Sequence, residues 1–551
     1  MIKKYLDFMN EITADELYER LMVYGMFAEK IPPIWDTSPF FNFCKQPTYI
    51  SLKPPKPPIT TPPSPSDRNK YNPVWYSYIS YNSIREINIP RNIGIPCPMA
   101  HEELCSCLRD YWDKLKSHFI NTTSNQKYIV SRIHIRKRDS LYTPPNNPDN
   151  PYNDTIIRNK LALFKMISNN WKDEGNPEND LIIGAAYVVK ADISQCFSSI
   201  YSHSISWALI GKDQAKKNIK INDYYNYLDN AVHSEKNGET HGLLIGPHTS
   251  SIISELILCK IDQRLTPKWK YIRNIDDYTC YVKTREEADM FLFELSEELR
   301  NYDLSLNYKK TTITELPLGI NRSWTNILNS YPPFGFDISS RPYVNYRQAE
   351  SFLDLCLQLM KENNDKASIL LYGLIMLKKA KTSISAQKYI IQRIRAYSLL
   401  LPYLIPHIDD LLIKAYKLPK QEIGIIINEI YDTYINTSYY EAIAYSIYLA
   451  INYDVTINSY DIDHIIKTKD CIVMMISLLY CKKNRLSSFE IKLHDEAISI
   501  RDNDEFDEYW LFEYECLDLT EITTYSRTKK NQIWKELKSA NISFLKKEYI
   551  F

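Results

Sequence analysis

The sequence predicts an α+β domain followed by an all-α one, and three observations carry that prediction. Between about Lys127 and Glu315, short β-rich runs alternate with helical text. Beyond about Asn345, Ile, Leu and Tyr recur at helical spacing, as in DLLIKAYKL and EAIAYSIYLAI. Helix breakers also thin out there: residues 345–551 hold three prolines (402, 406, 419) and two glycines (373, 424).

The chain has 551 residues, too many for one ordinary core, and two to four domains are expected. Three regions are predicted: an N-terminal extension over 1–115, an α+β domain over 116–340 and a helical domain over 345–551. The extension opens on helical text in which Thr13-Ala-Asp-Glu16 matches a capping box, and it contains a proline-dense stretch from Pro54 to Pro73 that predicts an extended surface segment. Helical text follows around Met99–Ile120. The helical domain shows no strict period; a helical-repeat, HEAT-like solenoid is the architecture expected of it.

Lys+Arg and Asp+Glu balance at 67 each, so attraction to a polyanion has to come from local patches. The eleven cysteines include no CxxC pair, which argues against a zinc site or a disulfide framework and fits a reducing cytoplasm. Charges fall where a signal peptide needs an apolar core, and no apolar run reaches a membrane span's ~20 residues. The protein is expected to be cytoplasmic, with no membrane partner.

Two elements carry the chemistry. AYVVKADI, residues 186–193, predicts a buried strand ending near Asp192, where a carboxylate is costly without a cation or hydrogen bonds. Tyr271-Ile-Arg-Asn-Ile-Asp-Asp-Tyr278 predicts a hairpin with adjacent carboxylates, Asp276 and Asp277, at its turn. A lone Asp-Asp pair is ordinarily an exposed turn. One strand aspartate plus two on a neighbouring hairpin is instead the ligand set of a two-Mg²⁺ phosphoryl-transfer site, with ions ~4 Å apart.

Between them, His241-Gly-Leu-Leu-Ile-Gly-Pro-His-Thr-Ser-Ser251 places Gly242 and Gly246 ahead of a helix start, which suits close backbone approach to a ligand or equally a structural turn. Afterwards comes Leu304-Ser-Leu-Asn-Tyr-Lys-Lys-Thr-Thr-Ile313, where Lys309 or Lys310 could reach a triphosphate. Lys127–Arg138 carries five basic side chains and no acid, so Arg136 and Arg138 are candidates for phosphate contact or members of an ordinary basic strand.

In order and spacing these elements resemble the palm motifs of reverse transcriptases: motif A at Asp192–Phe197, motif B at Gly242–Ser250, motif C at Asn274–Asp277 and motif D at Leu304–Thr311. Tyr201-Ser-His-Ser-Ile-Ser-Trp207, Gly211-Lys212 and Glu239-Thr-His-Gly242 narrow the resemblance to the bacterial abortive-infection (AbiK-like), defence-associated enzymes, over about 127–320 and more weakly around Tyr509-Trp-Leu-Phe512. The resemblance implies a right-hand-like fingers/palm polymerase domain, with a helical-repeat domain where other reverse transcriptases have a thumb. It implies two Mg²⁺ ions, with Mn²⁺ able to substitute, held by Asp192, Asp276 and Asp277 as catalytic residues. It implies dNTP substrates, a DNA product and a homo-oligomer, trimeric or hexameric. Phe197, five residues past Asp192, stands at the family's sugar gate, the alternative being a core ring. Phe197, Gly246, Arg136, Arg138 and Lys310 form the implied nucleotide-binding set.

Family members either make DNA without a template from a protein hydroxyl or copy a dedicated non-coding RNA. Two positions depart from the motifs: Asn274 stands where motif C has an aromatic, and Leu244 where motif B has Pro. A non-catalytic scaffold binding nucleic acid or a phage protein, and a mobile-element enzyme, are the competing readings. The three carboxylates speak against the scaffold, and the long helical tail is unexplained in the mobile element.

Overall fold

The computed structural model describes residues 12–53, 74–86, 89–123, 133–135, 164–166, 177–219, 223–317, 323–331, 343–524 and 529–551. Arg136, Arg138 and the Pro54–Pro73 stretch lie outside the described residues.

The first helix, α1 (Ala14–Tyr24), begins at the capping box read from sequence. Glu16 N–H donates to Thr13 Oγ1 at 3.2 Å and Thr13 N–H donates to Glu16 Oε2 at 2.9 Å, so two orphan donors of the first turn are satisfied reciprocally. An antiparallel hairpin follows, β1 (Tyr78–Glu86) and β2 (Ile89–Pro96), which the sequence reading had not drawn. It buries Ile79, Tyr81, Ile93 and Ile95. Helices α2 (Pro98–Asp110) and α3 (Trp112–Thr123) divide the helical text around Met99–Ile120, and α2 opens with proline in its first turn, where a missing N–H costs nothing.

The central sheet has four strands: β3 (Tyr187–Asp192), β4 (Tyr271–Asn274), β5 (Asp277–Val282) and β6 (Thr312–Glu315). Their order is β4-β5-β3-β6, with every neighbour antiparallel. The register sets Asp192 directly opposite Asp277. Asp277 opens β5, so the β4–β5 turn holds only Ile275 and Asp276, and Asp277 itself lies in the strand. Helices α4 (Ser204–Ile210), α5 (Tyr224–Ser234) and α6 (His248–Leu265) intervene between β3 and β4. Helix α7 (Arg285–Arg300) packs on β3 and β5, burying Ala288, Phe291, Leu295 and Leu299 on one stripe.

From Tyr346 onward the described elements are helical apart from a two-residue strand at Lys381–Thr382. Helices α8 (Lys420–Tyr434), α9 (Tyr440–Tyr453), α10 (Cys471–Asn484) and α11 (Trp510–Cys516) pack in succession, each against the next. Helix α10 buries every residue from Cys471 to Cys481 and is apolar all round, as a helix enclosed by others must be. Glu441 at the start of α9 reaches the β1–β2 hairpin, accepting from Ser83 Oγ at 2.9 Å and Ile84 N–H at 2.8 Å. Residues 34–36 and 544–546 also meet. Asp36 N–H donates to Phe544 C=O and Lys546 N–H to Ile34 C=O, beside a cluster of Phe27, Trp510, Trp534 and Phe544 rings. The eleven cysteines are free thiols. Among the described residues, no helix is long and apolar enough to cross a membrane.

Candidate active site

Asp192 ends β3 and is 6% exposed, so its charge needs partners. Lys310 Nζ donates to its Oδ2 at 2.8 Å and Asn307 Nδ2 to its Oδ1 at 3.3 Å, while Asn307 N–H donates to the Asp192 carbonyl at 2.7 Å. The Leu304–Thr311 segment is thereby tied to the strand aspartate. Lys310, considered from sequence as a triphosphate ligand, here caps a carboxylate with a largely exposed side chain.

Across the sheet, Asp277 stands opposite Asp192 in register. Its pKa is pushed up to about 6, first by burial and then by the charges on Asp276 and Asp192, with Lys310 pulling the other way. Asp276 sits in the turn, and its carbonyl accepts from Ile193 N–H at 3.0 Å, which draws the turn onto the end of β3. The charges of Asp192 and Asp276 thus act on Asp277, and Lys310 offsets them. Carboxylates are the all-oxygen donors that hard divalent cations of the Mg²⁺ kind take.

The two-residue turn that carries Asp276 is strained at its first residue. Ile275 has φ 57°, the left-handed region that a β-branched residue rarely occupies. Arg273, 1% exposed, supplies the restraint: its Nη1 donates to the Ile275 carbonyl at 3.0 Å. The rest of the guanidinium is held from α6, by Glu255 Oε1 at 3.0 Å and Oε2 at 3.1 Å and by Asp262 Oδ2 at 2.6 and 2.8 Å. Tyr271 hydroxyl donates to Asp262 Oδ1 at 2.6 Å and Cys259 Sγ to Glu255 Oε1 at 3.1 Å. Sequence reasoning missed this network. Its signal was present, because Glu255 and Asp262 lie seven residues apart on one face of α6, among Ile252, Ile253, Leu256, Ile257, Leu258 and Ile261, and Arg273 follows Tyr271 and Ile272 in its strand.

Phe197 lies in the single helical turn Cys196–Ser199, partly buried against the core, and its carbonyl accepts from Leu243 N–H at 2.7 Å. The glycine loop is therefore bonded to the Asp192–Phe197 segment. Gly246 has φ 133°, and a Cβ there would meet Ile93 Cγ2 at 2.9 Å, so its missing side chain serves packing against the β1–β2 hairpin. Leu244 packs on Gly94, where a Cβ would meet Leu244 Cδ2 at 2.7 Å, and Gly94 N–H donates to Ile245 C=O at 2.9 Å. The leucine that replaces the usual proline thus faces the hairpin. Asn274 Oδ1 is buried without a hydrogen-bond partner among the described residues.

Residues 150–322 match the family model of reverse transcriptase (RNA-dependent DNA polymerase). That match spans β3 to β6 with all three aspartates. The chain therefore contains a reverse-transcriptase domain, the nucleotidyltransferase domain of RNA-dependent DNA polymerases. No curated protein matches the chain by sequence. Two solved structures of apo telomerase from Candida tropicalis are similar at low level. The first, truncated from the C-terminal domain, has TM-score 0.26 and 12% identity over 45% of this chain and 52% of its own. The second has TM-score 0.27 and 10% identity over 84% of this chain and 73% of its own. This chain spans about half the length of the first.

Proposed function

We propose that the protein is a reverse-transcriptase-type DNA polymerase of bacterial antiphage defence, joining deoxynucleotides by two-metal nucleotidyl transfer. The observation that carries the polymerase reading is the meeting of Asp192, Asp276 and Asp277 at one end of the sheet, with Asp192 opposite Asp277. In this reading the three carboxylates hold two Mg²⁺ ions, which Mn²⁺ can replace. When bound, such ions would supply activation of the attacking hydroxyl and charge stabilisation of the leaving pyrophosphate. Lys310 would hold the triphosphate. Phe197 lies under the incoming sugar, Gly246 shapes the loop over the incoming base, and Arg136 and Arg138 meet phosphates. Residues 116–340 act as fingers and palm, and 345–551 as a HEAT-like helical-repeat domain that also builds a homo-oligomer.

The defence role rests on the Tyr201–Trp207 and Glu239–Gly242 motifs. Two modes of synthesis fit it: protein-primed without a template, or copying a dedicated non-coding RNA. Sequencing the nucleic acid that copurifies with the chain, with and without protease, separates them. A covalently held homopolymer supports the first and a copied RNA the second. For the site itself, Asp276→Asn is expected to abolish nucleotide incorporation while leaving the circular dichroism spectrum unchanged. Incorporation at the wild-type rate by that variant sinks the assignment.

A further inference from the structure

Away from the three aspartates, His203, Asp229 and His233 bring two imidazoles and a carboxylate together, with one ligand atom from each all within 4.8 Å of one another. His203 immediately precedes α4, and Asp229 and His233 are four residues apart on one face of α5. His203 Nδ1 lies 2.5 Å from Asp229 Oδ2, and His233 Nε2 lies 3.0 Å from Asp229 Oδ1. Asp229 is 5% exposed and His233 9%, whereas the His203 side chain is 40% exposed, so the cluster is walled on one side and open on the other.

Asp229 stands between the two rings: His203 Nδ1 meets its Oδ2 and His233 Nε2 lies 3.0 Å from its buried Oδ1. Protonated rings can neutralise that carboxylate, and a divalent cation shared with neutral rings serves the same end. His233 Nε2 also meets Ser202 Oγ, so an oxygen donor stands beside the three ligands.

We propose that His203, Asp229 and His233 form a second metal site, for a borderline divalent cation of the Zn²⁺ class. Two imidazoles and one carboxylate with an open fourth position suit tetrahedral Zn²⁺, whereas the all-oxygen site suits Mg²⁺. The site's place in the fold gives it a role. Ser202 N–H donates to Thr240 C=O and Gly242 N–H to Ile200 C=O, and Tyr201 bridges to His241. An ion joining α4 to α5 therefore clamps the segment that ties the glycine loop to Phe197. No cysteine takes part, which is why cysteine spacing gave no sign of it.

The test uses the full chain without a histidine tag. After chelation, Zn²⁺ uptake is measured by elemental analysis and Co²⁺ uptake by its visible absorption in the tetrahedral range. The expected result is about one equivalent per chain, with affinity at least ~10-fold lower in His203→Ala, since losing one of three ligands typically costs more than one outer-shell contact does. His203 is half-exposed, so this variant should fold, and its circular dichroism is recorded alongside. Asp276→Asn is the control and should keep the cobalt spectrum. Three results overturn the proposal: no uptake by the folded wild-type chain, uptake by His203→Ala equal to wild type, or loss of the spectrum in Asp276→Asn, which assigns the ion to the other carboxylates.

Discussion

Replacing Arg273 by lysine keeps one positive charge but removes the planar fork that bonds Glu255, Asp262 and the Ile275 carbonyl together. The guanidinium makes five N–H···O bonds of 2.6–3.1 Å in a fully buried setting. A lysine has three donors on a flexible stem and cannot span two carboxylates and a carbonyl in one plane. Losing the bond to the Ile275 carbonyl releases the restraint on a left-handed isoleucine, and the turn carrying Asp276 relaxes. A displacement of ~1 Å at a reacting centre costs about 100-fold in rate, so kcat should fall ~10- to 100-fold with a raised Mg²⁺ requirement. Stability should fall by about 1–3 kcal/mol, the range for lost hydrogen bonds to charged groups. Arg273→Met should cost more, roughly 3–5 kcal/mol out of a typical 5–15, because it strands two buried carboxylates. Neutralising them as well, in Arg273→Met with Glu255→Gln and Asp262→Asn, should recover much of the stability but none of the rate. The assay pairs denaturant unfolding with Mg²⁺ titrations of nucleotide incorporation. Wild-type kcat and Mg²⁺ dependence in a folded Arg273→Lys would falsify the positioning role. So would recovery of the rate by the triple variant.

Three further outcomes are expected. Phe197→Ala should raise ribonucleotide use relative to deoxynucleotide use, since relieving an overpacked 2′-oxygen is worth roughly 1–3 kcal/mol, or about 5- to 150-fold; an unmoved ratio makes Phe197 a core residue. Glu513 is fully buried with neither carboxylate oxygen hydrogen-bonded among the described residues, and burial raises its pKa from 4.5 to about 9. The folded state then holds a proton that the unfolded chain has released, so stability is lost as pH climbs between those values, at most ~1.4 kcal/mol per unit. Glu513→Gln should flatten that decline in thermal unfolding measured from pH 5 to 9, and parallel curves for the two proteins refute it. Light scattering at micromolar concentration should give a trimer or hexamer of the 64.8 kDa chain, and a monomer mass counts against the oligomer.

Much of the candidate site was legible because its information is local. The AYVVKADI run, the Asn-Ile-Asp-Asp turn and the Leu-Ser-Leu-Asn-Tyr-Lys-Lys pattern each declare a strand end or a turn through apolar period and polar interruption. The capping box likewise needs only four consecutive residues. From these the α+β core and the three aspartates follow without long-range knowledge.

Tertiary structure alone decided what depends on partners far apart in sequence. Lys310 meets Asp192 across 118 residues, and Glu441 meets Ile84 across 357. Gly246 needs its missing Cβ because of Ile93, which lies in a hairpin whose polar and proline positions obscured its alternation. Arg273 has no acid beside it in its own strand, and its partners Glu255 and Asp262 come from α6. A local pattern records which face a residue turns to the core. It does not record which charge waits on the other side, because burial of a charge is made affordable only by groups that folding brings there.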